Sequence, residues 1–168
     1  MVSGKFRAMP VLFCFFTGIA VPVPVFAYTV SFVMIETGPA QNGAAPESAS
    51  LWENGLMDVF FNAGHIVSNA HTLRVDREIL NDFPDELQGD LDEARQGEVD
   101  FFVIVLLDYR SSGEASGRLT KPRQILLRVF RVTPYQKVYE QVYSGPVRDE
   151  LAQAKSAAIS ILSHLRDR

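Results

Sequence analysis

Two of the three histidines, His65 and His71, flank a short apolar run in "AGHIVSNAH", and paired imidazoles are a common way to hold zinc or copper. Their spacing argues against a shared ion. In a strand the two lie about 20 Å apart at roughly 3.3 Å per residue, and in a helix about 240° apart round the axis. His65 is instead expected to open a strand at a helix-strand junction, with His71 near its end. A second arrangement comes from Glu36, Asp108 and Tyr109, which fall at or near expected strand ends, where α/β sheets hold ligands. Two carboxylates across a cleft do acid-base hydrolysis, so Glu36 and Asp108 define an alternative reading as a small hydrolase or ligand-binding protein. Acids at strand ends are also simply the first solvated residues. The sequence holds no Gly-rich phosphate loop, G-x-S-x-G elbow or H-E-x-x-H pattern, so no catalytic residue, metal or cofactor is expected.

Charge is segregated along the chain. Residues 76–100 carry ten acids against Arg77 and Arg95, and Asp85, Asp90 and Asp92 lack the spacing of a calcium loop, so these acids read as a solvated helix face. Residues 118–137 hold Arg118, Lys121, Arg123, Arg128, Arg131 and Lys137 with no acid. That segment is the expected partner-binding surface, able to steer an acidic protein partner. A solvated hairpin is the plainer alternative, and self-association through the hairpin edge, giving a homo-oligomer, is a third.

The first 27 residues set the address. Lys5 and Arg7 precede an almost unbroken apolar stretch from Pro10 to Ala27, with small residues at Val25 and Ala27. This is a secretory signal pattern, with cleavage expected between Ala27 and Tyr28 and the periplasm as destination. Retention as an inner-membrane anchor is the alternative, opposed by Pro22 and Pro24 in a segment that must otherwise span about 20 residues. Cys14 follows bulky Phe13 where a lipid-anchor signal wants a small residue. It is the only cysteine of the chain, so the part after the signal has no thiol for a disulfide, zinc site or nucleophile. The 141 residues after Ala27 suit one domain with one core. Removing Lys5 and Arg7 from 16 basic residues leaves 14 against 20 acids, a net charge of −6 that makes nucleic acid a poor partner.

The elements that position these residues follow from periodicity. "YTVSFVMI", residues 28–35, is a strand ended by Gly38-Pro39, and a small polar loop follows. Ser50 and Glu53 match an S-x-x-E capping box ahead of a helical face of Trp52, Leu56, Val59, Phe60 and Ala63, closed by Gly64. "HIVSNAHTLRV" is then one strand. A second helix is expected with Asp82 as N-cap, Pro84 in its first turn, Leu87, Leu91 and Ala94 as its buried stripe and Gly97 at its end. "FFVIVLL", residues 101–107, is apolar on both faces and reads as a central strand. "QILLRVFRV" and "KVYEQVY" make a hairpin turning at Thr133-Pro134-Tyr135. Pro146 opens a last helix striped by Leu151, Ala154, Ala158, Ile161, Leu162 and Leu165, with Glu150 among its polar residues and His164 beside the stripe near its end. Phe60 is expected to pack beneath the sheet with Leu106 and Leu162. The order is strand, helix, strand, helix, strand, strand, strand, helix: an α/β (α+β) domain with a mixed sheet of about five strands and three helices.

This order and two stretches of wording resemble the N-terminal domain of TolB and the related periplasmic domains of LpoB, CsgG and FlgT. "LMDVFFNAGHIVSNA" matches a helix with a bulky apolar face, a glycine, and a strand opening on histidine or an aromatic residue. "ARQGEVDFFVIVLLDY" matches an acidic helix running into a strand. The resemblance covers nearly all of residues 28–168. It implies a non-enzymatic cell-envelope domain that acts by protein-protein interaction.

Overall fold

The computed structural model describes residues 27–38, 47–75, 85–109, 121–145 and 148–166. Six strands form one mixed sheet: β1 (Thr29–Thr37), β2 (Ile66–Asn69), β3 (Leu73–Val75), β4 (Phe101–Asp108), β5 (Gln124–Arg131) and β6 (Gln136–Ser144). Three helices accompany them, α1 (Glu47–Asn62), α2 (Gln88–Gln96) and α3 (Glu150–Arg166), with a short 3-10 turn, Asp85–Leu87, leading into α2. The spatial order is β2-β1-β4-β5-β6, with β3 also pairing β1. β1 runs parallel to β2, β3 and β4, whereas β5 and β6 are antiparallel additions.

Strand alternation sorts the core into two layers. Val30, Phe32 and Met34 of β1, Val103, Val105 and Leu107 of β4, and Leu127 and Val129 of β5 pack under α1 and α3. Val33, Ile35, Phe102, Ile104 and Phe130 face the 3-10 turn through Leu87 and α2 through Leu91 and Ala94. β1 and β4 are therefore buried on both faces, as their unbroken apolar runs demand. Trp52, Leu56 and Phe60 of α1 are fully buried, each burial contributing about 1.5–3 kcal/mol. Phe60 shares its layer with Leu162. Leu106 lies one residue out of phase, on the other side of β4 from Val105 and Leu107, so the expected Phe60–Leu106 contact is replaced by contacts on that inner face.

Both long helices start at the carboxyl ends of β1 and β4 and descend side by side. At Gly55 they approach so closely that a Cβ there would lie 2.6 Å from the Ala154 Cβ, a clash that only glycine avoids. α1 closes as expected: Gly64 has φ +87°, its N–H donates to Phe61 O at 2.9 Å, and the His65 N–H donates to Phe60 O at 3.1 Å. α2 closes differently. The left-handed residue is Glu98, φ +54°, and Gly97 keeps φ −82°.

Three further expectations change. The strand expected over 65–75 breaks into β2 and β3, with Ala70–Thr72 between them, because both pair with β1 at different places along its length. α1 begins at Glu47, so Ser50 is inside the helix and accepts a hydrogen bond from Asn54 at 3.2 Å, while Glu53 accepts one from Asn69 of β2; the capping box does not form. α3 begins at Glu150, and its N-cap is Asp149, whose carboxylate accepts the Ala152 N–H at 2.9 Å. Asp82, Pro84 and Pro146 lie outside the described residues.

In the hairpin, the register shifts between Val129 and Phe130, which pair with Tyr139 and Lys137 and leave Val138 as the extra residue of β6. This bulge lets Val138 and Tyr139 both join the α3 layer. There the His164 Nε2–H donates to Val138 O at 2.9 Å.

Candidate functional site

The carboxyl ends of β1 and β4 lie side by side at the point where the chain reverses its direction of travel through the sheet: α1 leads from β1 out to β2, and α2 leads back past β1 to β4. In open α/β sheets this switch point is where ligands bind. Glu36, Thr37, Asp108 and Tyr109 stand there, all buried. Glu36 and Asp108, paired as candidate acids from the sequence, are not brought together. Alternation turns Asp108 to the α2 face, where Thr37 Oγ1 donates to it at 3.1 Å. Glu36 turns to the α1 and α3 face, where Arg74 of β3 donates to Oε2 at 2.9 Å.

Other residues join Glu36 on that inner face. Tyr109 points the same way, and Ser48 from the first turn of α1 and Glu150 from the first turn of α3 close over it. Ser48 is 2 % exposed and Glu150 4 %. Burial, with the Glu36 and Glu150 carboxylates adding to it, pushes the Tyr109 hydroxyl up to about 12, so it holds its proton at neutral pH. Ser48 partly offsets that shift. Lys121 lies 3.6 Å from Glu150 Oε1 and 3.5 Å from the Arg148 carbonyl. A cleft of about 560 Å³ runs over Glu150, lined by Glu47, Ser48, Leu51, Lys121, Arg148 and Asp149 among others.

Glu150 was expected only as a solvated helix residue. The signal for its burial was present: it stands four residues before Ala154, in phase with Ala158, Ile161 and Leu165 of the apolar stripe.

The basic segment does not converge on one place. Arg118 lies outside the described residues. Lys121 joins the cleft, and Arg123, exposed, enters β5 beside it. Arg128 and Lys137 both pair with Glu140, at 2.8 and 3.1 Å. Arg131, at the far end of β5, lies over the Phe101 ring on the opposite face from Arg128. The hairpin thus carries its cations on two faces and at two ends.

The histidines also separate. His65 is buried, and its Nδ1 accepts the Tyr28 N–H at 3.0 Å while its ring stacks on Tyr28. Burial, then the Arg166 charge, lowers its pKa below the ordinary value. His71 is exposed between β2 and β3. Among the described residues no group of three or more acids, histidines or cysteines is arranged to hold a metal ion.

At the far edge of the sheet from the hairpin, β2 pairs only with β1 among the described residues. Beside it a groove of about 540 Å³ runs across α1, lined by Met57, Phe61, Val67 and Leu151, with Asn54, Asp58 and Lys155 at its polar margin. Phe61 is 67 % exposed.

No protein-family model matches the sequence, and no curated protein matches it. Solved structures do resemble it in chain course. A PelC dodecamer from Paraburkholderia phytofirmans matches with TM-score 0.45 and 18 % identity over 84 % of this chain and 91 % of that one. TolB from Acinetobacter baumannii matches with TM-score 0.45 and 10 % identity over 83 % of this chain and 28 % of that one. A DUF330 protein from Xanthomonas campestris matches with TM-score 0.43 and 8 % identity, over 86 % and 89 %. The likeness to LpoB, CsgG and FlgT rests on the sequence motifs alone. Among the described residues no helix is long and apolar enough to cross a membrane.

Proposed function

We propose that this chain is an exported cell-envelope domain that acts by docking another protein and not by catalysis. The observation that carries the reading is the edge of β2, unpaired on its outer side among the described residues, beside the groove of Met57, Phe61, Val67 and Leu151. An unpaired edge offers main-chain donors and acceptors to an incoming strand, and an adjacent apolar groove takes that strand's side chains. Phe61 is a large aromatic residue left in solvent at that place, the residue type that anchors interfaces. Export is supported by Lys5, Arg7 and the apolar run that ends in Val25 and Ala27. Against the hydrolase reading that pairs Glu36 with Asp108, these two acids project to opposite faces of the sheet.

The test places a photo-crosslinker at Ser68 on the β2 edge and identifies what is captured in the intact envelope. A single partner is expected, with capture reduced at least tenfold by Phe61→Glu. Capture of a second copy of this chain would assign the edge to self-association. Capture unchanged by Phe61→Glu would overturn the assignment of the groove.

A further inference from the structure

Three polar atoms at the switch point share one defect. Glu36 Oε1, the Tyr109 hydroxyl and Glu150 Oε2 are fully enclosed and have no hydrogen-bond partner. Each parent residue is more than nine-tenths buried. A buried polar group left unpaired costs about 1–3 kcal/mol, and more where it is charged, so three at one place from three separate elements do not contribute to folding. Each carboxylate uses one oxygen on a protein cation, Glu36 on Arg74 and Glu150 on Lys121, and keeps the other oxygen open. The charges of both carboxylates raise the Tyr109 hydroxyl, so the three groups are near neighbours.

We propose that Glu36, Tyr109 and Glu150 form a binding site for a small ligand carrying a primary ammonium group, entered through the cleft that Lys121 and Arg148 border. An ammonium has three donors and no acceptor. Its three donors answer in number the two carboxylate oxygens and the phenolic oxygen, and both carboxylate contacts would be of the charge-assisted kind. A carboxylate or phosphate ligand could accept from the Tyr109 hydroxyl alone, would leave both carboxylate oxygens unpaired and would add repulsion. The charges agree: of the residues lining the cleft, Glu47, Asp149 and Glu150 outnumber Lys121 and Arg148. Its volume lies in the range of small-molecule sites, and Leu51 and Leu151 supply an apolar wall for the ligand's carbon chain. This site borders the docking groove at Leu151, which lines both, but does not depend on the docking reading.

The experiment titrates the purified chain with n-butylammonium chloride and follows amide chemical shifts, with n-butanol and sodium chloride as matched controls. Saturable shifts centred on Tyr109 and Glu150 are expected, absent with either control. Glu150→Gln should weaken binding at least tenfold and Tyr109→Phe several-fold. Shifts that never saturate, that spread over surface acids, that n-butanol reproduces, or that survive Glu150→Gln unchanged would each overturn the site. Should Glu150→Gln fail to fold, the shift map of the unaltered chain against its two controls still decides.

Discussion

The two ends of the parallel strands are built on different principles. At the amino end, Tyr28 packs edge-on to Phe101 and stacks on His65, and Phe60 packs edge-on to Phe32. The polar group there is a neutral imidazole that accepts a backbone N–H on one side and leaves only its Nε2 unpaired. At the carboxyl end, two carboxylates and a phenol are enclosed with unpaired oxygens. Enclosing an unpaired carboxylate oxygen costs far more than enclosing an imidazole N–H. The amino end is organised for stability, and the carboxyl end gives up stability in the way binding sites do.

Three measurements break or sharpen this contrast. The largest effect is expected at the amino end, where Phe60→Ala should cost about 3–5 kcal/mol by deleting a fully buried ring. A denaturant-midpoint loss below about 1 kcal/mol would show that this end is not the anchor of the core. A smaller effect of opposite sign is expected at the carboxyl end. Glu150→Met replaces a buried carboxylate by an apolar chain of similar volume, and should leave stability unchanged or raise it by about 1 kcal/mol. A clear loss would mean that the Lys121 pair contributes net stability and that the end is structural.

The smallest effect is a pH slope. The folded-state pKa of His65 lies below the ordinary 6.5, so the unfolded chain binds the extra proton first. Stability is therefore full above about pH 6.5 and falls as the pH drops from there toward the folded pKa. Thermal melts across that window should show the slope, and His65→Gln should flatten it. An unchanged slope would assign it to the carboxylates instead.

The element order was legible because its apolar runs are long and in phase: the helical face of Trp52, Leu56 and Phe60, and the seven-residue run of β4. Register was not legible. Glu36 and Asp108 look alike as acids at strand ends, and only the pairing of Glu36 with Leu107 and of Thr37 with Asp108 shows that they face opposite ways. "HIVSNAHTLRV" reads as one strand because a break in pairing depends on where β1 receives it. Ser50 reads as a cap because the local motif is present, although the helix already runs from Glu47. Glu150 alone was recoverable from the sequence, since its phase with the apolar stripe contradicts its charge.

The bulge in β6 bears on how this sheet would polymerise. If β6 offered a straight edge, a second copy could lay its β2 against it, leaving another free edge at each end for the next copy, and the association would grow without limit as a fibre. With Val138 as the extra residue, the backbone on the β6 edge is out of step with the regular spacing that an added strand needs. Growth is then disfavoured on that side. Among the described residues β2 is then the edge left for regular pairing, and one foreign strand, or one identical copy related by a two-fold axis, would use it up and give a complex that closes.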